Sequence, residues 1–231
     1  MTVTSTAADL YWDANGATAG TGAAGVWNTA ATWRQGSVSG TLGDWADGDT
    51  AIFGGTAGTV TLTAPVSVER LNFTTAGYTI GATTDTTRTM SLSGSYSANN
   101  PAIDAATVAN ATVAAKLTGT VTGGLFVKSN SDVTLAASGG VALRGEANDF
   151  SGDINVVQGN LALSNVNAVY GNPANQVILN GGGLALNQAA VTTANDFTFS
   201  RTMVVGGNGG SVATNATGGT MNLTFSGTVT G

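Results

Sequence analysis

The stretch between residues 150 and 187 contains the same pattern of apolar pairs twice. In each copy, two apolar residues alternate with other residues, a glycine follows, and a second alternating pair comes after the glycine. Alternation with a period of two is typical of β-strands, and a fixed return distance indicates a repeated structural unit. Each apolar or glycine position of this pattern returns in the second copy at the same distance along the chain, and we call that distance the constant offset. The corresponding positions are Ile154 and Val177, Val156 and Leu179, Gly159 and Gly182, Leu161 and Leu184, and Leu163 and Leu186.

A shorter phrase, Gly-x-apolar-x-apolar, recurs through the C-terminal half at intervals of variable length. Its first apolar positions are Leu125, Val141, Leu161 and Leu184, with a degenerate copy at Met221. Glycine permits the tight corners that connect short strands. A unit of about 20 residues is the size of one coil of a parallel β-helix, in which coils stack about 4.8 Å apart. The sequence therefore predicts an all-β parallel β-helix of about ten coils, about 50 Å long.

Upstream of this region, alternating apolar pairs separated by turn residues continue from Ala51. The pairs are Val60 with Leu62, Val66 with Val68, Leu71 with Phe73, Tyr78 with Ile80, and Met90 with Leu92. Residues 93–115 have mixed spacing, which is compatible with one short helix near 105–117 or with two irregular strands. The frequent turn residues favour strand and loop.

Residues 1–50 differ from the rest because they contain all four tryptophans, Trp12, Trp27, Trp33 and Trp45. A stack of strands needs its first edge covered, since bare edges aggregate, and terminal repeats are commonly atypical caps. We therefore expect an N-terminal cap at 1–50 in which the tryptophans cover the core, followed by one continuous β-helical domain at 51–231. The alternative is that the tryptophans stack on sugars.

The composition excludes several classes of function. Charged residues make up 9% of the 231 residues, the net charge is −6, and only seven lysines and arginines are present, so neither nucleic acid nor an anionic membrane surface is an expected partner. Histidine and cysteine are absent, which removes catalytic triads, disulfides and the usual transition-metal ligands. No signal peptide is visible, and no apolar run is long enough to span a membrane. If the protein is secreted, we expect this chain to be a mature or shortened form.

Two groups of motifs resemble a known family. Residues 150–187, with FSGDINVVQGNLALSN, the Tyr-Gly at 170–171 and the GGGLAL phrase, resemble the autotransporter-associated β-strand repeat. Trp27 with Trp33, the WADGDTAIF phrase at 45–53, and LNF at 71–73 leading into YTIG resemble the segment that precedes such repeats in large secreted bacterial proteins. Together these features cover about two-thirds of the chain. The resemblance implies a right-handed parallel β-helix that is exported to a bacterial surface, and it carries no shared catalytic residues.

Acidic turns offer two candidate calcium loops. Asp44, Asp47 and Asp49 lie in DWADGD, and Asp13 lies in DANG with Asn15. Calcium loops use oxygen ligands at alternate positions together with a glycine turn, but neither segment has the twelve-residue pattern or its closing glutamate. Aspartate and glycine are common turn residues, so we expect ordinary turns in both segments rather than calcium sites.

One charged group offers a candidate catalytic site for a polysaccharide lyase or glycosidase. Such enzymes need paired carboxylates, or a base beside an acidic cluster, facing one groove. The group consists of Arg144, Glu146, Asp149 and Asp153, and it is equally typical of a solvated connection. The Gly206–Gly210 run lacks the lysine of a phosphate-binding loop and is interpreted as a loop tip.

These observations favour a structural or adhesive module of a bacterial surface or secreted protein, such as an adhesin stalk, a passenger segment or a fibre subunit. We predict no catalytic, metal-binding or cofactor-binding residues and no enzymatic activity. The alternatives are a carbohydrate-active β-helix enzyme and a carbohydrate-binding module. The closing FSGTVTG resembles TGTVTG at 118–123, where a strand follows directly, so the chain is expected to stop within a coil. Expected partners are extracellular polysaccharide, a host or cell surface, and other copies joined head to tail through open coil ends.

Overall fold

The part of the chain that the structure describes folds into β-structure and connecting turns. The computed structural model describes residues 7–16, 22–81, 87–107, 110–130, 140–143, 148–163, 170–188, 195–216 and 221–231. Within these ranges no residue is helical, so no helix is available to cross a membrane.

Twenty-three strands lie in the described ranges. They are β1 (Asp9–Trp12), β2 (Gly25–Val26), β3 (Trp33–Gln35), β4 (Leu42–Gly43), β5 (Thr50–Phe53), β6 (Thr59–Thr61), β7 (Val66–Val68), β8 (Arg70–Phe73), β9 (Tyr78–Ile80), β10 (Thr89–Leu92), β11 (Ile103–Ala105), β12 (Asn110–Val113), β13 (Lys116–Thr118), β14 (Leu125–Ser129), β15 (Gly140–Leu143), β16 (Ile154–Leu163), β17 (Val177–Leu179), β18 (Gly182–Gln188), β19 (Asn195–Phe199), β20 (Met203–Val205), β21 (Ser211–Ala216), β22 (Met221–Phe225) and β23 (Val229–Thr230).

Most of these strands form two long parallel ladders. The first ladder runs β1, β5, β8, β11, β14, the start of β16, β17, β20 and β23. The second runs β2, β6, β9, β12, β15, the end of β16, β18 and β21. A third side contains β7, β10 and β13, and further along the chain the parallel pair β19 and β22.

The chain visits these ladders in a fixed order. From β5 onward it passes through the first ladder, the second ladder and then the third side before it returns to the first ladder. We call one such passage a circuit. In the two long ladders, each strand therefore pairs with the strands at the same stage of the neighbouring circuits. Nine strands of the described residues stack in the first ladder, which corresponds to a length of about 40 Å, slightly less than the sequence-based expectation.

Residues separated by the constant offset pair with each other in successive circuits. Ile154 pairs with Val177 in the first ladder, while Gly159 pairs with Gly182 and Leu161 with Leu184 in the second. β16 serves both ladders, and Gly159 lies at the corner with φ of +63°, which glycine adopts readily. The repeat predicted between 150 and 187 is therefore present as main-chain pairing.

The recurring Gly-x-apolar-x-apolar phrase does not form a single ladder, which corrects the simplest interpretation of it. Val141, Leu161 and Leu184 do stack in the second ladder, but Leu125 pairs with Ile154 in the first. Leu184 is followed by Val212 rather than by Met221, whose strand β22 pairs with β19. The Gly-x-apolar-x-apolar phrase is typical of a corner that is followed by a strand with one face toward the core. Because such corners occur in both ladders, the phrase does not identify which ladder its strand joins.

The circuits differ in length in the N-terminal half, so the sequence there shows no constant repeat distance. In the first ladder Ala51 pairs with Leu71, and Leu71 pairs in turn with Ile103, so the second of these two steps is much the longer. The longer circuit ends at β11, so it includes the first part of the ambiguous 93–115 stretch, and the remainder belongs to the following circuit. In the described part of that stretch the structure has β11, β12 and the turns around them, followed by β13, as the preference for strand and loop predicted.

Inward-facing side chains of the ladders form the core. Leu71, Ile103, Val127, Val156 and Leu179 follow one another along the first ladder, and each is at most 1% exposed. Burying aliphatic side chains of this size stabilises a fold by about 1.5–3 kcal/mol each. The alternating apolar pairs therefore supply the main driving force for stacking.

On the third side, an irregular corner fills the position of a strand in two circuits. Phe150 is fully buried, and its carbonyl accepts hydrogen bonds from the Asn172 amide (2.8 Å) and from Asn175 Nδ2 (2.9 Å). Arg201 of the next circuit donates to the carbonyls of Gly171 (3.0 Å) and Asn172. The FSG and Tyr-Gly motifs thus connect successive circuits without regular strand pairing.

The N-terminal edge of the first ladder is closed by two antiparallel strands. β3 pairs with β1 on the side opposite β5, and β4 then pairs with β3. The outermost strand, β4, consists only of Leu42 and Gly43. A very short edge strand offers little template for pairing with another chain.

A charge placed in the core should unfold the stack. Leu→Ala substitutions in cores typically cost about 2–5 kcal/mol. We expect Leu161→Asp to lower the free energy of unfolding by more than that, because the variant adds an unpaired buried charge. Thr112→Asp is the matched control, since Thr112 lies in the second ladder at an outward, partly buried position. Urea unfolding followed by circular dichroism measures both, and equal stability of the two variants would contradict the inward assignment of Leu161.

Two buried tyrosines predict a loss of stability at alkaline pH. Tyr78 Oη donates to the carbonyls of Gly54 and Thr56, and Tyr96 Oη donates to the Glu69 carbonyl. Burial raises the pKa of each phenol to about 12, from an ordinary value of 10.0. Because the folded state holds these protons more tightly, their contribution is intact below pH 10 and is lost as the pH rises from 10 toward 12.

Melting temperatures at pH 9, 10 and 11 test this dependence. The double variant Tyr78→Phe/Tyr96→Phe should have a smaller decrease between pH 9 and 11 than the wild type. Tyr11→Phe, on β1, should retain the wild-type decrease. If the double variant falls as steeply as the wild type, the two phenols do not cause the loss.

Candidate functional site

The four tryptophans form one aromatic cluster at the N-terminal end of the core. Trp27 and Trp33 lie 4.8 Å apart between ring centroids, and Trp12 packs against Trp33 at 5.0 Å. These three rings are at most 1% exposed, whereas Trp45 is partly buried against two of them. Stacking on a sugar needs an accessible ring face, so only Trp45 is available for it. The cluster continues into the core through Phe53.

The DANG turn is built around a buried ion pair. Asp13 is fully buried, and its Oδ2 lies 2.5 Å from Nε of Arg34. Its Oδ1 accepts a hydrogen bond from the Gly16 amide (3.1 Å), while Arg34 also donates to the carbonyls of Gly16 and Gly40. A calcium ion at Asp13 would have to displace the guanidinium. The geometry therefore supports the interpretation of DANG as a turn.

The three aspartates of DWADGD bind main-chain amides in three separate segments. Asp44 Oδ1 accepts from the Ala31 amide (2.9 Å), and Asp49 Oδ1 accepts from Ala8 (2.8 Å). Asp47 Oδ1 accepts from the Ser67 amide (2.9 Å) and from Trp45 Nε1 (3.1 Å). Among the residues that the structure describes, no three acidic side chains come together as a metal site would require. The motif instead connects the N-terminal segment, the tryptophan region and β7.

The predicted charged group does not converge on one groove in its described part. Asp149 Oδ2 lies 2.7 Å from Nζ of Lys116, and Asp153 Oδ1 accepts from the Gln176 amide at 2.8 Å. The hydrogen bond from Lys116 lowers the pKa of the Asp149 carboxyl, the opposite of the shift that a general acid needs. Arg144 and Glu146 lie outside the described residues. The geometry of Asp149 and Asp153 is that of connections between circuits.

The Gly206–Gly210 run forms a tight corner between β20 and β21. The Gly209 amide donates to the Gly206 carbonyl (2.9 Å), and Gly209 has φ of +74°. The Asn208 amide donates to Oδ1 of Asn180 in the preceding circuit (3.0 Å). This arrangement matches the predicted loop tip.

A groove of about 220 Å³ lies along the corners between the first and second ladders. It crosses three circuits and is lined by glycines, amide side chains and a hydroxyl. The lining residues are Gly159, Asn160, Gly181, Gly182, Gly183, Asn208, Gly210 and Ser211. No motif in the sequence pointed to it, although the pairing of Gly159 with Gly182 at the constant offset marks its floor.

Comparison with known proteins shows a similarity that covers most of the chain. The chain is 38% identical over 190 residues, 80% of its length, to a protein named "Adhesin BmaC autotransporter" from Brucella suis biovar 1 (strain 1330). The chain spans only about 5% of the length of that relative. No protein-family profile matches, and no solved structure matches. The similarity supports the predicted relation to autotransporter proteins, while membership of the β-strand repeat family stays a prediction.

The buried ion pair gives a measurable contrast with an exposed one. We expect Arg34→Met to lower the free energy of unfolding by about 3–5 kcal/mol, because it leaves the Asp13 carboxylate buried without its cation. Lys116→Met is the matched control, since the Asp149 side chain is 55% exposed and such pairs contribute at most about 1 kcal/mol. Urea unfolding measures both variants. If added calcium restored the stability of Arg34→Met, the turn would be a cation site after all.

Proposed function

We propose that this chain is a segment of a right-handed parallel β-helix that serves as a rigid adhesive or structural module of a bacterial surface or secreted protein. Residues 1–50 form its N-terminal cap, and residues 51–231 form the β-helical body. The observation that carries the proposal is the fixed order in which the chain visits the three sides, with each strand stacked on its counterpart one circuit away.

The connections between parallel strands support the proposed β-helix. Each circuit leaves the first ladder, passes through the second ladder and third side, and returns beside the strand where it began. Such crossovers between parallel strands are right-handed in about 98% of cases, which supports the proposed hand. The antiparallel β3 and β4, together with the buried tryptophans, support the assignment of residues 1–50 as a cap.

The adhesive role rests on the relative and on the chemistry of the chain. The similar protein is named as an autotransporter adhesin, which supports surface display and attachment to a host or cell surface. A fold made of stacked circuits extends by adding circuits, which suits a protein as long as that relative. Head-to-tail self-association stays a prediction, and light scattering over a concentration series tests it.

The enzyme alternative has weaker support. Both described carboxylates of the predicted charged group are bound within the fold, Asp149 by Lys116 and Asp153 by the Gln176 amide. The absence of enzymatic activity remains a prediction, which incubation with a panel of acidic and neutral polysaccharides tests. Release of reducing ends or unsaturated sugars would contradict it.

Attachment can be tested directly with the purified chain. Beads coated with the folded chain should adhere to cultured host cells several times more than uncoated beads. Beads carrying an equal amount of Leu161→Asp, which should be unfolded, control for nonspecific contact by polypeptide. Equal adhesion of the two coated preparations would contradict an adhesive role for the folded module.

A further inference from the structure

At one position of the second ladder, three successive circuits have a polar residue, then a glycine, then another polar residue. Asn160 pairs with Gly183, and Gly183 pairs with Ser211 in the following circuit. A Cβ added at Gly183 would lie 2.5 Å from Asn160 Oδ1 and 2.3 Å from Ser211 Oγ. The two oxygens therefore converge on the space above Gly183, which we call the Gly183 notch.

The main chain that carries Asn160 is fixed, while the two converging side-chain groups keep their hydrogen-bonding capacity. The main chain of Asn160 is fixed by Ser129, whose Oγ accepts from the Asn160 amide (2.8 Å) and donates to its carbonyl (3.1 Å). Within the part of the chain that the structure describes, the Asn160 side-chain amide and the Ser211 hydroxyl make no hydrogen bond. Asn208, at the rim of the groove, likewise bonds only through its main chain.

The notch opens into the groove of about 220 Å³ described above, so it has room for a ligand. Cavities that hold drug-sized ligands measure about 300–1,000 Å³, so this groove fits a smaller unit. Its lining contains no charged residue, and a carboxylate, phosphate or ammonium ion would find no counter-charge there. Hydroxyl groups both donate and accept hydrogen bonds, which suits an amide and a hydroxyl facing each other.

We propose that the Gly183 notch binds one sugar unit of a neutral glycan, with ligand hydroxyls bonded to Asn160 and Ser211 and with Asn208 at the rim. The bare glycine surface between them lets the sugar ring approach the main chain. This inference rests on the proposed adhesive function and gives it a ligand class. A peptide ligand is the competing outcome, and the experiment distinguishes it.

Gly183→Ala is the sharpest test because it fills the notch with a single methyl group. The φ of Gly183 is not positive, so alanine causes no backbone strain there, and the closest atoms are the ends of two side chains that can move. Gly207→Ala is the matched control: it lies in the neighbouring corner, has no positive φ, and its added Cβ meets nothing within 4 Å. Both variants should melt within a few degrees of the wild type.

Binding to immobilised neutral oligosaccharides, with polygalacturonate and heparin as acidic probes, gives the readout. We expect the wild type to bind a neutral probe. Gly183→Ala and Asn160→Ala should each weaken that binding about tenfold, which is consistent with loss of about one hydrogen bond, whereas Gly207→Ala should bind within about twofold of the wild type. Binding of no neutral probe, binding only of acidic probes, or equal binding by Gly183→Ala would each overturn the proposal.

The bead assay separates this inference from the proposed function. If wild-type and Gly183→Ala beads adhere equally to cells, adhesion stands but the notch is not its site. Adhesion that resists enzymatic removal of cell-surface glycans would indicate a protein ligand and would also overturn the inference. If wild-type beads do not adhere at all, the adhesive function itself fails.

Discussion

Main-chain pairing between equivalent positions of successive circuits sets the geometry on which the rest of the structure depends. In a parallel ladder each strand satisfies its neighbours' amides and carbonyls, and its inward side chains fall directly over those of the previous circuit. Leu71, Ile103 and Val127 illustrate the result, because they follow one another in register although the two steps between them along the chain are unequal. Register is therefore set by the inward apolar positions and the corners, while the loops vary in length. Such a fold can lengthen by further circuits without a change in its physics.

Several charged side chains at the ends and corners of this stack form hydrogen bonds that connect separate segments of the chain. Asp49 bonds to the amide of Ala8, which lies far away along the chain, and Asp153 bonds to the Gln176 amide in the next circuit. A carboxylate that accepts hydrogen bonds from main-chain amides satisfies groups that the ladders leave unpaired at their ends. Asp13, which is fully buried, is matched by Arg34 within the N-terminal segment. The groove is lined by one hydroxyl, two amide side chains and bare glycine, with no charged residue, which suits recognition of neutral partners.

Much of the ladder geometry could be predicted from the sequence where circuits are equal in length. The repeated pattern between 150 and 187 predicts the observed register of Ile154 with Val177 and of Leu161 with Leu184, because alternation identifies the inward face and the glycine identifies the corner. The partner of Leu125 could not be predicted, since the same phrase serves both ladders. The roles of the DWADGD aspartates were also missed: turn propensity is local, whereas their donors lie far away along the chain. The Gly183 notch depends on pairing with Ser211, a longer step than the constant offset indicates.

The parallel register can be measured with engineered disulfides, because the chain has no cysteine of its own. Asn155 and Ile178 are neighbours in the first ladder, and Val204 follows Ile178 one strand further. Adjacent strands lie about 4.8 Å apart, within the Cα separation that a disulfide spans, whereas two strands apart is about 10 Å and too far. The stack predicts that Asn155→Cys/Ile178→Cys forms an intramolecular disulfide under mild oxidation and that Asn155→Cys/Val204→Cys does not. Cross-linking of the second pair, or of neither, would contradict the stacked parallel register.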